Sequence, residues 1–250
     1  MPGLTLPAAR LRHALGIGAA LLLSLSTSAS HAALTLNNTR VVFDSDKRST
    51  AVVIRNPSKA TYAVQAWVNT EADADTVSVP FLPSPQLFRL APDKEQQVQI
   101  TLLPNDLPTD RESLFYFNVQ EIPQVDASAK NALSIALRTR IKLFYRPHQL
   151  EGSPTRQLKS LVFSLVNEQG APALRVENPT PFHITFSRME VSGNGQYATP
   201  QATDMLAPHS SLVYPLPGIR PAPDLQVLFS IINDYGGHSA PVTLPIALPR

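Results

Sequence analysis

The chain has 250 residues, 43% of them hydrophobic, with 21 basic and 19 acidic side chains and no cysteine. That is enough chain for one or two domains with sizeable cores. The absence of thiols excludes disulfide stapling, thiol catalysis and cysteine metal sites, so stability has to come from packing.

The first 32 residues read as a cleavable signal peptide. Arg10, Arg12 and His13 form a positive leader, Ala14 to Leu25 is apolar around GIGAALLLSL, and Ser30-His31-Ala32 is a small-x-small cleavage site. The apolar stretch is too short to be expected to span a bilayer. Cleavage after Ala32 removes Arg10 and Arg12 and no acid, which leaves 19 basic residues against 19 acidic ones. The overall pI of 9.0 is therefore no sign of nucleic-acid binding through bulk charge. No later stretch predicts a membrane-inserted helix.

After the signal segment the sequence predicts short strands separated by turn residues, with 22 of the chain's 24 prolines and little helical periodicity. Strands are expected at Thr50 to Ile54, closed by the Asn56-Pro57 turn, then at Tyr62 to Val68, Gln96 to Leu102 and Leu114 to Ile122, stopped by Pro123. The longest candidate is Ala132 to Tyr145. Arg146 to Pro154 holds two prolines and few core residues and reads as a linker. Strands resume at Leu161 to Val166, Ala173 to Val176, Phe182 to Val191, Gln226 to Ile232 and Ala240 to Ile246. No internal repeat stands out. The expected fold is all-β, two immunoglobulin-like sandwiches at 33–147 and 155–250 joined by a linker at 148–154.

Enzyme motifs are absent: there is no Gly-x-Ser-x-Gly elbow, no His-Glu-x-x-His and no phosphate-binding glycine loop. No catalytic residue, cofactor or metal site is expected. His148, His183, His209 and His238 lack metal-binding spacing and read as surface or turn residues.

The strand at 132–145 stands apart. Leu133, Ile135 and Leu137 alternate with small residues, and Arg138, Arg140 and Lys142 then alternate with Thr139, Ile141 and Leu143. Period two sends these sets to opposite faces, and the strand would span roughly 45 Å. The pattern fits an interior strand with one face in a core. It fits slightly less well an edge strand kept for a partner, an aggregation hazard that soluble proteins normally blunt.

Two motifs carry a resemblance. Leu107 to Pro123 (LPTDRESLFYFNVQEIP) and Ile135 to Pro147 (IALRTRIKLFYRP) resemble the signatures of the periplasmic pilus-assembly chaperones, the PapD-like family. Leu34 to Phe43 resembles that family's first strand, and Asn233 to Gly237 fits its second domain. The resemblance implies a boomerang of two immunoglobulin-like domains. It implies a non-enzymatic periplasmic chaperone that completes unfinished pilus subunits with its own strand, a recurring mode of recognition. Subunits would then pass to an outer-membrane usher. An exposed strand would also allow a free chaperone to cap itself as a homodimer, an alternative the sequence leaves open beside a monomer. By residue, Leu133, Ile135 and Leu137 correspond to the apolar donor side chains, each worth roughly 1.5–3 kcal/mol when buried. Arg40 and Lys142 correspond to the cleft pair that anchors the subunit's C-terminal carboxylate. Glu112, Arg146 and Asp234 correspond to an interdomain ionic network. Strict alternation puts Lys142 opposite the donor residues, so a bulge or twist is expected between them. Two other classes fit less well. A pilus subunit would lack a strand, whereas this mature chain opens on one. A carbohydrate-active enzyme would need a marked carboxylate pair.

Overall fold

The computed structural model describes residues 34–73, 77–123, 136–201 and 203–248. The signal segment and the expected donor residues Leu133 and Ile135 lie outside the described residues.

The N-terminal sandwich has nine strands among the described residues: β1 (Thr35–Leu36), β2 (Arg40–Asp44), β3 (Ser49–Arg55), β4 (Tyr62–Asn69), β5 (Phe81–Ser84), β6 (Leu87–Leu90), β7 (Glu95–Leu102), β8 (Ser113–Pro123) and β9 (Arg138–Arg146). They form two sheets, ordered β1-β3-β7-β5 and β2-β9-β8-β4-β6, with β2 parallel to β9. Period-two alternation turns Val52, Ile54, Val98 and Ile100 of one sheet toward Val64, Phe117, Val119 and Leu143 of the other. Phe81 packs edge-on to Phe43, Phe115 and Tyr145 at one end of this core.

Two short 3-10 turns (Pro154–Arg156 and Leu158–Ser160) lead into the second sandwich. It contains β10 (Val162–Glu168), β11 (Ala171–Asn178), β12 (Phe186–Gly193), β13 (Gln196–Ala198), β14 (Ser210–Pro215), β15 (Gln226–Ile231) and β16 (Val242–Pro245). The sheets are β10-β11-β14 and β13-β12-β15-β16, around a separate core in which Phe163, Phe186 and Phe229 pack ring against ring.

Several expectations need correction. The first strand, expected as one run over Leu34 to Phe43, is two: β1 pairs with β3 in one sheet and β2 with β9 in the other. The long strand expected at 132–145 begins, where described, at Arg138. Ala136 and Leu137 are exposed and outside it, although the Glu121 amide still donates to the Leu137 carbonyl at 3.0 Å. The core-side position of β8 level with Leu137 is Glu121, a carboxylate in place of an apolar partner. The strand expected from Phe182 starts at Phe186, because Ile184 exchanges backbone hydrogen bonds with Leu206 instead of joining β15. β14, between Pro208 and Pro217, went unread.

A local repeat was also unread. In each sandwich a buried Asn precedes a proline and ties the following turn. Asn56 accepts the Ser58 amide and hydroxyl and donates to the Ala60 carbonyl. Asn178 accepts the Thr180 amide and hydroxyl and donates to the Phe182 carbonyl. Both side chains thus satisfy buried backbone groups at the same offsets, two and four residues on.

Candidate functional site

The site grows from the β2–β9 pair. The odd-numbered residues Val41, Phe43, Ile141, Leu143 and Tyr145 enter the core, so the even-numbered ones face outward. Parallel pairing then sets Arg40 level with Lys142, Val42 with Phe144, and Asp44 with Arg146. The β8–β9 register is unbroken from Arg138 to Tyr145. No bulge turns Lys142, within the described residues; it leaves the core side by plain alternation. Leu137 keeps core-side parity but is 53% exposed beyond the core's end.

Arg40 is 9% exposed. Its Nη1 donates to the Ile232 carbonyl of the second sandwich at 3.2 Å, while its buried Nε has no hydrogen-bond partner. Burial pushes the guanidinium's pKa down, partly opposed by Asp234 and Glu112. Burial also lowers Lys142, helped by the neighbouring Arg40 charge and opposed by Glu71. Two half-desolvated cations at one level make a site that gains from an anion. A polar cleft of about 400 Å³ opens beside Arg40, lined also by Asn38, Asp44, Arg146, Asp234 and Tyr235.

At the end of β9, Arg146 lies between two carboxylates. Its Nε donates to Glu112 at 2.8 Å, and Nη1 and Nη2 grip Asp234 at 2.7 and 2.8 Å. Burial works against this charge, but the hydrogen bonds to Asp234 and the fields of Glu112 and Asp234 outweigh it and raise its pKa. Glu112, its side chain 1% exposed, spends its other oxygen on His183, accepting the backbone amide at 2.7 Å with ring Nδ1 at 3.1 Å. His183 is thus not the surface residue expected: its side chain is 6% exposed. His148, His209 and His238 are exposed.

Asp234 is presented by the turn Asn233–Gly237, in which Asn233 Oδ1 accepts the amides of Tyr235 and Gly237. Gly236 sits at φ +83° with Thr39 against the place of any Cβ. Gly236→Ala is expected to cost about 1–2 kcal/mol from the left-handed backbone alone. Thermal melts check this: adding Thr39→Ala should recover the steric part of the loss and leave the backbone part.

Aromatic rings support the cations of this face. Arg138 lies over Trp67 at 4.9 Å, Arg140 over Tyr116 at 4.0 Å, Arg146 over Phe182 at 5.1 Å and Arg40 over Phe144 at 5.7 Å. Phe144, Phe182 and His183 were missed as site residues. For Phe144 a signal existed: a large aromatic at an outward position of a strand needs a second surface to pack on.

Two family models match the chain. The "Pili and flagellar-assembly chaperone, PapD N-terminal domain" matches residues 33–151 and the "Pili assembly chaperone PapD, C-terminal domain" matches 156–243. The chain is 36% identical to the probable fimbrial chaperone YadV of Escherichia coli K12 over 220 residues, covering 84% of this chain and 89% of YadV. It is likewise 36% identical to the chaperone protein PapD of E. coli over 214 residues, 84% of this chain and 86% of PapD. The crystal structure of the YadV chaperone superposes with a TM-score of 0.73 at 33% identity, covering 85% of this chain and all of that one. A chain of the Salmonella enterica SafA pilin–SafB chaperone complex does so at 0.72 and 26% identity, covering 87% and 98%.

Proposed function

Because the chain belongs to the PapD-like family of pilus-assembly chaperones, we propose a role for each part of its site. The protein is a non-enzymatic chaperone of the chaperone–usher pathway, from a periplasmic family, and its clients are pilus subunits. Residues 33–147 form the subunit-binding domain, 148–154 the linker and 155–250 the second domain. Two separate cores, within 34–145 and 158–246, support this division. The signal peptide is cut after Ala32.

Arg40 and Lys142 receive the subunit's C-terminal carboxylate. The observation that carries this reading is their pairing at one level of β2 and β9, both depressed by burial and with Arg40 Nε unpartnered. Leu133, Ile135 and Leu137 fill the subunit's open groove; the exposure of Leu137 supports its part in this. Glu112, Arg146 and Asp234 lock the two domains together. An outer-membrane usher accepts the loaded complex, and a second copy caps the strand when no subunit is bound.

The test is recovery of the chaperone from periplasm with mass spectrometry of whatever is bound. Pilus subunits should co-purify with the parent and be lost with Arg40→Ala; normal recovery with that variant removes Arg40 from the anchor. Leu137→Glu should weaken capture by roughly ten-fold or more, since an apolar groove gives the carboxylate no partner. Equal affinity by titration calorimetry would take Leu137 out of the donor set.

A further inference from the structure

Arg40 is held differently from the other buried cation of the site. Arg146 has its N–H edges engaged by two carboxylates. Among the described residues the Arg40 side chain donates one hydrogen bond, to a carbonyl, and its buried Nε makes none. Hydrogen bonding therefore does not fix the plane of its guanidinium. What lies against Arg40 instead is the ring of Phe144. A cation resting on a ring face keeps its N–H edges available, and those edges form the fork that a carboxylate takes up.

Phe144 is itself clamped. It is 4% exposed but faces outward from β9 and belongs to neither hydrophobic core. The His183 ring packs on it at 5.3 Å with planes tilted by 43°. His183 is held in turn by Glu112, which accepts its backbone amide and contacts its Nδ1. With Glu112 serving as acceptor for Arg146 as well, Nδ1 carries the proton in this pair. A continuous stack therefore runs from Glu112 through His183 and Phe144 to Arg40.

We propose that Phe144, braced by His183, is the positioning residue that orients Arg40 toward the subunit's terminal carboxylate. The inference rests on the carboxylate-anchor reading above. It makes the ionic lock and the anchor one mechanical unit: Glu112 holds Arg146 with one oxygen and the base of the stack with the other.

The experiment measures a ratio. A synthetic peptide of the co-purifying subunit's C-terminal segment is titrated into the full chaperone twice, once with a free carboxylate and once as the amide. The parent should prefer the carboxylate by roughly thirty-fold or more. Phe144→Leu should remove about ten-fold of that preference, Phe144→Tyr should retain it, and His183→Gln should lower it. A general loss of packing would weaken both peptides alike and leave the ratio unmoved. In an Arg40→Ala background, Phe144→Leu should change the ratio no further. If the parent does not discriminate, the anchor reading fails first. If the parent discriminates and folded Phe144→Leu keeps the parental ratio, the positioning role is overturned. Should Phe144→Leu fail to fold, the ratio is read on His183→Gln, where an unchanged value overturns the proposal equally.

Discussion

Replacing Lys142 by methionine is expected to give a chaperone at least as stable as the parent that no longer captures subunits. The free protein holds Lys142 in a half-buried place beside another cation. Removing its charge while keeping the stem relieves that repulsion, a gain of a few tenths to about 1 kcal/mol. The same change strips the carboxylate seat of one partner, which costs about 2–5 kcal/mol of affinity. The pH dependence should show the same conflict. Burial first, and then Arg40, hold Lys142 below its ordinary value of 10.5. The unfolded chain thus binds this proton more tightly than the folded one, so between the lowered value and 10.5 the stability of the free chaperone rises with pH. Capture runs the other way, because a carboxylate favours the ammonium form, and affinity should fall as pH rises through the same window. Melts and calorimetry across that range check both slopes, and Lys142→Met should flatten them. Normal capture by Lys142→Met would refute the anchor role for this residue.

Arg146→Met is expected to be the most destabilising substitution in the site. It leaves Glu112, its side chain 1% exposed, with a charge met by the backbone amide and ring of His183 and by the field of Arg40. Stranding a buried charge costs about 3–5 kcal/mol, a fall of about 10 °C in a protein of this size. Glu112→Gln combined with Arg146→Met should lose much less than Arg146→Met alone. Thermal melts of the single and double variants measure the coupling. An additive result would mean the pair is not the lock it resembles geometrically.

Fold class was legible because it depends on alternation and turn chemistry, both local. Val52/Ile54, Val98/Ile100 and Phe117/Val119 each announce a buried face by period two, and the structure puts all six in one core. The opening strand was harder. Nothing in LTLNNTRVVF says that Leu36 and Val41 belong to different sheets, since the crossing depends on which neighbour each half meets. The repeat of the buried Asn turns was hidden for the opposite reason. It consists of one side chain and a few backbone atoms, so only Asn-Pro-Ser and Asn-Pro-Thr mark it.

Within the site, the residues most legible from sequence were the charged ones carried by the two specific motifs. His183 was not, because its burial is set by Glu112, which is 71 residues away in sequence. Phe144 sits in a motif that was noticed for its neighbours, and its outward parity gained meaning only once the second domain was seen to cover it.

The parallel pairing of β2 and β9 has a consequence for how client length is read. Partners in a parallel pair stay level along both strands, so under the proposed anchor role Arg40 and Lys142 would form an end-stop whose position belongs to the pair. One step along the same face lies the level of Val42 and Phe144, displaced by roughly 6.6 Å. A cation pair moved by one such step would seat a client whose tail differs by two residues and would reject the original. Under that role the sandwich edge would work as a gauge with discrete settings, its present setting written by which residues of two strands, 102 positions apart, lie level.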